Sequence, residues 1–330
     1  MRRPALRRGA ALTELPLAAS RSLGAISCIC IPAASAKPQA ANDRQDRTMT
    51  TPTSLILGCG YLGRRVAALW RQQGRTVFAA TRNPAHLPAD VTPIICDVLD
   101  PASLGKLPQV DTVLYAVGFD RASGATMRAV YVDGLVNVLD HLPTPKRFIH
   151  VSSSSVYGQT DGGWVDEASL TEPGEESGRI VLETEAVLRA KLPDAMILRL
   201  AGIYGPGRLL RRQTIERGEP IVGDADKWLN LIHVEDGARA IVAAEENGWP
   251  GRVYNVCDDH PVRRRWFYTT MARLLGAPTP RFVSPPLGEP TPPHEKGNRR
   301  INNRRMKEEL GMTLQYPNYD GGLRAGIAAI

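Results

Sequence analysis

The feature that most constrains this chain is the run Leu55–Gly63, Leu-Ile-Leu-Gly-Cys-Gly-Tyr-Leu-Gly, in which an apolar stretch ends on three glycines spaced Gly-x-Gly-x-x-Gly. That order calls for a buried strand, a tight turn and a helix start. Gly58 permits the sharp exit from the strand, Gly60 removes a side chain where a pyrophosphate would approach the backbone, and Gly63 lets the helix lie close to the sheet. Tyr61 and Leu62 complete the turn, whose N–H groups would face the phosphates. Beyond it Leu62, Val66, Leu69 and Trp70 recur with helical spacing, and Gly74 is a natural stop. The glycines alone could belong to any α/β turn. With a strand before and a helix after, they point to a bound dinucleotide.

From Thr53 onward strand-like runs alternate with helical ones, as in a parallel sheet covered on both faces. Strands are expected at Ser54–Leu57, Thr76–Ala80, Val91–Cys96, Thr112–Ala116, Arg147–Ser152, Ala195–Leu200 and Val253–Val256. Helices are expected after Gly63, near Ala102–Leu107, and over Thr126–His141, Arg179–Lys191 and Val234–Glu246. The fold class is therefore α/β, a Rossmann-type doubly wound parallel sheet with its ligand at the carboxyl ends of the strands. After Tyr204-Gly-Pro-Gly the texture turns to Pro, Gly and Arg. Residues 53–204 with 231–257 read as the dinucleotide-binding domain, and residues 205–230 with 258–330 as a small substrate-facing lobe.

Residues 1–50 lack periodicity, and Met49 stands just before the first strand. Two readings stay open: a transit peptide, being rich in Arg and poor in acids, or an extension upstream of a true start at Met49. Either way the segment is expected to be disordered. It carries eight Lys or Arg against Glu14, Asp43 and Asp46, which accounts for most of the net charge of +7 and leaves the remainder near neutral. Such a balance does not suggest a nucleic-acid partner. No apolar run reaches the ~20 residues that span a bilayer, so a soluble, cytoplasmic protein is expected, or an organellar one if the transit reading holds. Cys28, Cys30, Cys59, Cys96 and Cys257 follow neither a disulfide framework nor a zinc pattern, so no metal is expected.

The end of the second strand separates the two nicotinamide cofactors. An acid there suits the ribose hydroxyls of NAD, and an Arg suits the extra phosphate of NADP. Here it reads Phe78-Ala-Ala-Thr-Arg82, so Thr81 and Arg82 favour NADP over NAD. Arg64 and Arg65 agree, since cations in a first helical turn oppose its dipole unless an anion sits nearby; pointing to solvent, they would need no anion. Asp97 is placed either to meet the adenine edge or to cap a turn. Ala116, Val117 and Gly118 leave room for the adenosine ribose and diphosphate, and Ala201, after the sixth strand, also borders the cofactor.

With Arg147-Phe-Ile-His-Val-Ser-Ser-Ser-Ser-Val-Tyr-Gly158, Leu198-Arg-Leu-Ala-Gly-Ile-Tyr-Gly-Pro-Gly207, Ile232-His-Val-Glu-Asp236 and Val253-Tyr-Asn-Val-Cys257, the chain resembles the extended short-chain dehydrogenases/reductases, the group of nucleotide-sugar epimerases and dehydratases. The resemblance covers nearly everything from residue 53 onward. It implies that Ser153, four residues before Tyr157, hydrogen-bonds the reacting oxygen; as a loop hydroxyl it could also be purely structural. It also exposes two departures. The family's Tyr-x-x-x-Lys general acid/base pair falls, counting back from Glu185, on Ser177 and Val181, and Leu57 stands where extended members carry the first glycine of GxxGxxG. The chain thus resembles an atypical subgroup, described only as epimerase-like or NAD(P)-binding.

Candidates to replace the missing pair are few. Tyr157 is close to Ser153 in sequence, though its ring is expected to pack away from the nicotinamide. Arg179 could polarise a carbonyl, or simply pair with Glu183 four positions on. Glu175 and Glu176 could act as a base or merely favour a helix start. His233 and Asp236 are read as orienting and capping a helix. The lobe's Arg208, Arg211, Arg212, Arg263, Arg264, Arg265, Arg299, Arg300, Arg304 and Arg305 would serve a substrate bearing phosphate or carboxylate, or else face water. The sequence therefore supports an oxidoreductase or epimerase-like enzyme on a small polar, anionic substrate, with a non-catalytic NADP-binding sensor or scaffold as the alternative; a homo-oligomer stays open.

Overall fold

The computed structural model describes residues 51–285 and 297–329. Residues 1–50, on which the transit-peptide and Met49 readings fall together with Cys28 and Cys30, lie outside the described residues.

Seven parallel strands form the central sheet: β1 (Thr53–Leu57), β2 (Thr76–Thr81), β3 (Thr92–Ile95), β4 (Thr112–Tyr115), β5 (Arg147–Ser153), β6 (Met196–Leu200) and β7 (Val253–Val256). Their order is β7-β6-β5-β4-β1-β2-β3, so the winding reverses between β1 and β4. That switch point opens a crevice at the carboxyl ends of the strands. The helices that shape it are α1 (Gly63–Gln72), α2 (Gly134–His141), α3 (Glu176–Lys191) and α4 (Val234–Asn247). The expected strands and helices all occur, to within a few residues at their ends. One exception is Thr126–His141, where the backbone makes a π turn over Ala129–Asp133 before α2 begins.

Alternation along β1 divides the core. Ile56 faces Val66, Trp70 and Ile241 on the side of α1 and α4, while Leu55 and Leu57 join Tyr115, Leu135 and Leu188 on the side of α2 and α3. At the start of the strands Arg75 reaches Glu245 on α4 at 2.7 Å and also donates to Ser54 Oγ and Thr112 Oγ1. Burying a charge demands this degree of pairing.

Among the described residues three further helices follow β7, α5 (Arg264–Leu275), α6 (Arg304–Leu310) and α7 (Tyr319–Ala328). Phe267, Tyr268 and Met271 of α5 and Leu323 of α7 build a separate cluster with Tyr204, Ile215 and Ile221. Met306 and Leu310 of α6, with Met312 and Leu314, instead complete the main core against α4. Among the described residues, no helix is long and apolar enough to cross a membrane.

Candidate functional site

A cleft of about 1650 Å³ runs across the carboxyl ends of the strands, lined by Gly58, Gly60, Tyr61, Leu62, Gly63, Thr81, Arg82, Asp97, Ala116, Val117, Gly118, Ser153, Tyr157 and Ala201. The sequence-expected positions thus converge on one wall system, with Arg179 as the exception. Arg179 is exposed on the outer side of α3 and donates to the Gly174 carbonyl at 3.0 Å, while Glu183 is held by Arg128 at 2.6 Å. Helical geometry explains both: Gly178 and Ile180 turn inward, and Arg179 between them turns out. Neither the polarising role nor the Arg179–Glu183 pair is realised.

The glycine turn has the shape a diphosphate requires. Gly58 sits at φ +89°, and a Cβ there would lie 2.4 Å from the Ala116 carbonyl oxygen. A Cβ on Gly63 would come within 2.8 Å of the Gly58 carbonyl, which is the close helix approach that the motif serves. Gly60 has nothing within 4 Å of where its Cβ would be, so the space above it is open. No side chain caps the first turn of α1, where the Arg64 N–H donates to the Gly60 carbonyl at 3.0 Å and the Arg65 and Val66 N–H groups donate to the Leu62 carbonyl. The cradle therefore fits a bound dinucleotide.

Where β2 ends, Thr81 is committed to its own turn: Oγ1 donates to the Asn83 carbonyl at 3.0 Å and accepts from the Asn83 N–H at 3.2 Å. Arg82 is exposed at the rim, and Arg64 and His86 line the same stretch of cleft. Arg65 does not join them, because it pairs with Glu235 at 2.7 Å and lies over the Tyr61 ring. Asp97 lines the cleft and accepts from the Leu99 N–H at 2.9 Å, so it caps a turn on the cleft wall.

Ser153 ends β5 at the centre of the cleft, and its Oγ accepts from the Ser155 N–H at 3.1 Å. A hydroxyl used in this way keeps its proton to donate. Tyr157 is buried, and its hydroxyl donates to Asn255 Oδ1 at 2.8 Å and accepts from Arg199 Nη1 at 3.0 Å. Arg199 in turn holds Glu185 through Nε and Nη2, and Glu185 accepts from Ser152 Oγ at 2.6 Å. Burial raises the Tyr157 phenol above its ordinary value, with Arg199 opposing. Its hydroxyl is thus a member of a structural network.

The sequence profile of the NAD dependent epimerase/dehydratase family matches residues 54–257. The chain belongs to that family. As a member of the NAD dependent epimerase/dehydratase family it is an NAD(P)-binding, short-chain dehydrogenase/reductase-type protein. It is 37% identical to protein YeeZ of Escherichia coli K12 over 174 residues, a match that takes in 52% of this chain and 59% of YeeZ, so the chain spans well under two thirds of that relative. A conserved protein of unknown function from Silicibacter pomeroyi superimposes with a TM-score of 0.67 at 32% identity, covering 84% of this chain and 99% of that one. The fold is shared with a Thermotoga maritima UDP-glucose 4-epimerase solved with UDP-glucose, at TM-score 0.72, 18% identity, and 84% and 98% coverage.

Within the epimerase/dehydratase framework, α3 turns Ser177 and Val181 toward the cleft. Of the ten lobe arginines named from the sequence, only Arg208 and Arg299 line it. Others are engaged elsewhere: Arg212 pairs with Glu216, Arg265 with Asp226, Arg304 with Glu308 and Arg305 with Glu167, and Arg300 donates to the Gly162 carbonyl. His233 caps α4 through its Nδ1, and Asp236 accepts from the Gln315 and Tyr316 N–H groups. That second tie has no signal in the local sequence. Cys59 lines the cleft as a thiol pushed up to about 11 by burial, against the pull of Arg64, which leaves it un-ionised at neutral pH. Among the described residues no three His, Cys, Asp or Glu side chains converge as a metal site.

Proposed function

We propose that the protein is an NADP-dependent oxidoreductase or epimerase-like enzyme acting on a small polar, anionic substrate, with Ser153 holding the reacting oxygen. The observation that carries this reading is the placement of Ser153, with a proton left to donate, in the same cleft as the Gly58–Gly63 cradle. Arg82 and Arg64, together at the rim where β2 ends, support the preference for NADP over NAD. The cofactor, when bound, supplies or accepts hydride. The chain contributes a backbone cradle for the diphosphate, cations at the adenosine end, and a hydroxyl that binds a carbonyl oxygen as donor or an alcohol as acceptor.

A second reading, a non-catalytic NADP-binding sensor or scaffold, is favoured by Ser177 and Val181 on the cleft face of α3. Neither side chain supplies a proton relay near neutral pH.

Calorimetry separates the cofactors. Arg82→Ala is expected to weaken NADPH at least tenfold and NADH less than about twofold; equal weakening of both defeats the NADP assignment. Exposure of the NADPH-loaded protein to a metabolite library is expected to give NADPH oxidation with some compound, lost in Ser153→Ala. Turnover that is untouched by this substitution rejects the role of Ser153, and absence of turnover across the library favours the binding protein.

A further inference from the structure

Arg299 differs from the other cations of the cleft. Its Nη2 donates to the Ser154 carbonyl at 2.8 Å, which fixes the guanidinium one residue from Ser153. Its Nε is fully enclosed and has no hydrogen-bond partner among the described residues. Among the described residues no carboxylate offsets its burial, and that burial draws the guanidinium below its ordinary value, with the neighbouring Tyr157 opposing. Two buried arginines, Arg75 and Arg199, behave otherwise. Arg75 has Glu245 at 2.7 Å and Arg199 has Glu185 at 2.7 Å. A half-buried guanidinium without an anion is costly to fold around, and a bidentate donor of this kind matches a carboxylate or phosphate.

We propose that Arg299 is the specificity residue of the cleft, binding an oxyanion of the substrate, carboxylate or phosphate, close to the oxygen that Ser153 holds. The proposal rests on the reading of the cleft as an NADP and substrate site. It narrows the substrate class to small molecules that carry their negative charge near the reacting carbon. Asn230, which also lines the cleft, donates through Nδ2 to the Arg299 carbonyl at 2.9 Å and accepts the Ile301 N–H on Oδ1 at 2.8 Å. The strand segment bearing Arg299 is thereby held in place, so the guanidinium is presented by a rigid support.

The test uses the full chain saturated with NADPH and three probes at constant ionic strength: glycolate, inorganic phosphate, and ethylene glycol as the neutral counterpart of glycolate. Binding is read from the fluorescence of bound NADPH and from the melting temperature. Wild type is expected to respond saturably to at least one anion and not to ethylene glycol. Tighter glycolate assigns a carboxylate, and tighter phosphate assigns a phosphate. Arg299→Gln should weaken the anion at least tenfold while leaving NADPH affinity within about twofold, and Arg300→Gln should leave the anion unchanged. If Arg299→Gln does not fold, Arg299→Lys answers in its place, with several-fold weaker binding expected because the forked geometry is lost. The proposal is overturned by an anion response that survives loss of Arg299, by an equal response to ethylene glycol, by equal loss in Arg300→Gln, or by no saturable response in wild type. Loss of NADPH in Arg299→Gln would assign the cation to the cofactor and overturn it too. Failure of the wild type to bind NADPH would instead break the underlying reading of the cleft.

Discussion

Arg199 holds the carboxylate of Glu185 with two donors, Nε at 2.9 Å and Nη2 at 2.7 Å, in a contact that leaves the two side chains only 4% and 2% exposed. The pair joins β6 to α3, and through Ser152 and Tyr157 it reaches the strand end that carries Ser153. Breaking it by halves should be severe. Glu185→Gln leaves a buried guanidinium without its counter-charge, and a loss of about 3–5 kcal/mol is expected in chemical denaturation. A loss under about 1 kcal/mol would show that water or local rearrangement replaces the carboxylate.

Tyr157 makes a contrasting prediction. Tyr157→Phe removes a hydroxyl bonded to both Asn255 and Arg199, so stability should fall by about 1–3 kcal/mol. Any NADPH oxidation found for the wild type should persist within about tenfold, since the hydroxyl serves the network. A fall beyond a hundredfold with stability unchanged would place Tyr157 in proton transfer.

His150 gives the protein a dependence on pH. It is buried beside Tyr115, with its Nδ1 unpartnered among the described residues, and burial holds it down to about 4, with Glu185 opposing. The folded value lies below that of the unfolded chain, ~6.5, so the unfolded state takes up the proton first. Stability from this group is complete above pH ~6.5 and is lost as pH falls from there toward about 4, by roughly 3 kcal/mol in all. Denaturation curves between pH 7 and 4 should show this slope in wild type and a smaller one in His150→Phe. Equal slopes would remove His150 as their source.

At Gly58, any side chain meets both a positive φ and the Ala116 carbonyl. Gly58→Ala should cost at least about 1–3 kcal/mol and abolish NADPH binding, whereas Gly60→Ala, where the cradle is open, should fold normally and lose cofactor only. Normal NADPH binding by Gly60→Ala would mean that the diphosphate does not pass over that residue.

The sheet was legible because buried parallel strands leave unbroken apolar runs, as at Leu55–Leu57. The glycine turn was legible because backbone geometry itself restricts the residue type. What stayed hidden was assembly at long range. Nothing near Asp236 announces that it accepts the Gln315 and Tyr316 N–H groups, and Met306 and Leu310 sit in a stretch whose polar texture conceals their packing against α4. Among ten lobe arginines composition gave no ranking. Only the placement of carboxylates in three dimensions separates Arg299, half-buried with none beside it among the described residues, from Arg265 or Arg305, each beside its own. Thr81 shows the reverse case: a residue of the expected type at the expected strand end, whose hydroxyl is consumed by its own turn.

The Arg75–Glu245 pair lies at the opposite ends of the strands from the cleft, with Ser54 and Thr112 completing its hydrogen bonds. This fold-securing pair is therefore spatially separate from Arg82, Arg208 and Arg299, which line the cleft. Exchange of Arg82, Arg208 or Arg299 in the course of descent would redirect what the crevice accepts without touching the ion pair that keeps the sheet and α4 together. A scaffold divided in this way can change its chemistry by small steps, each of which still yields a folded protein.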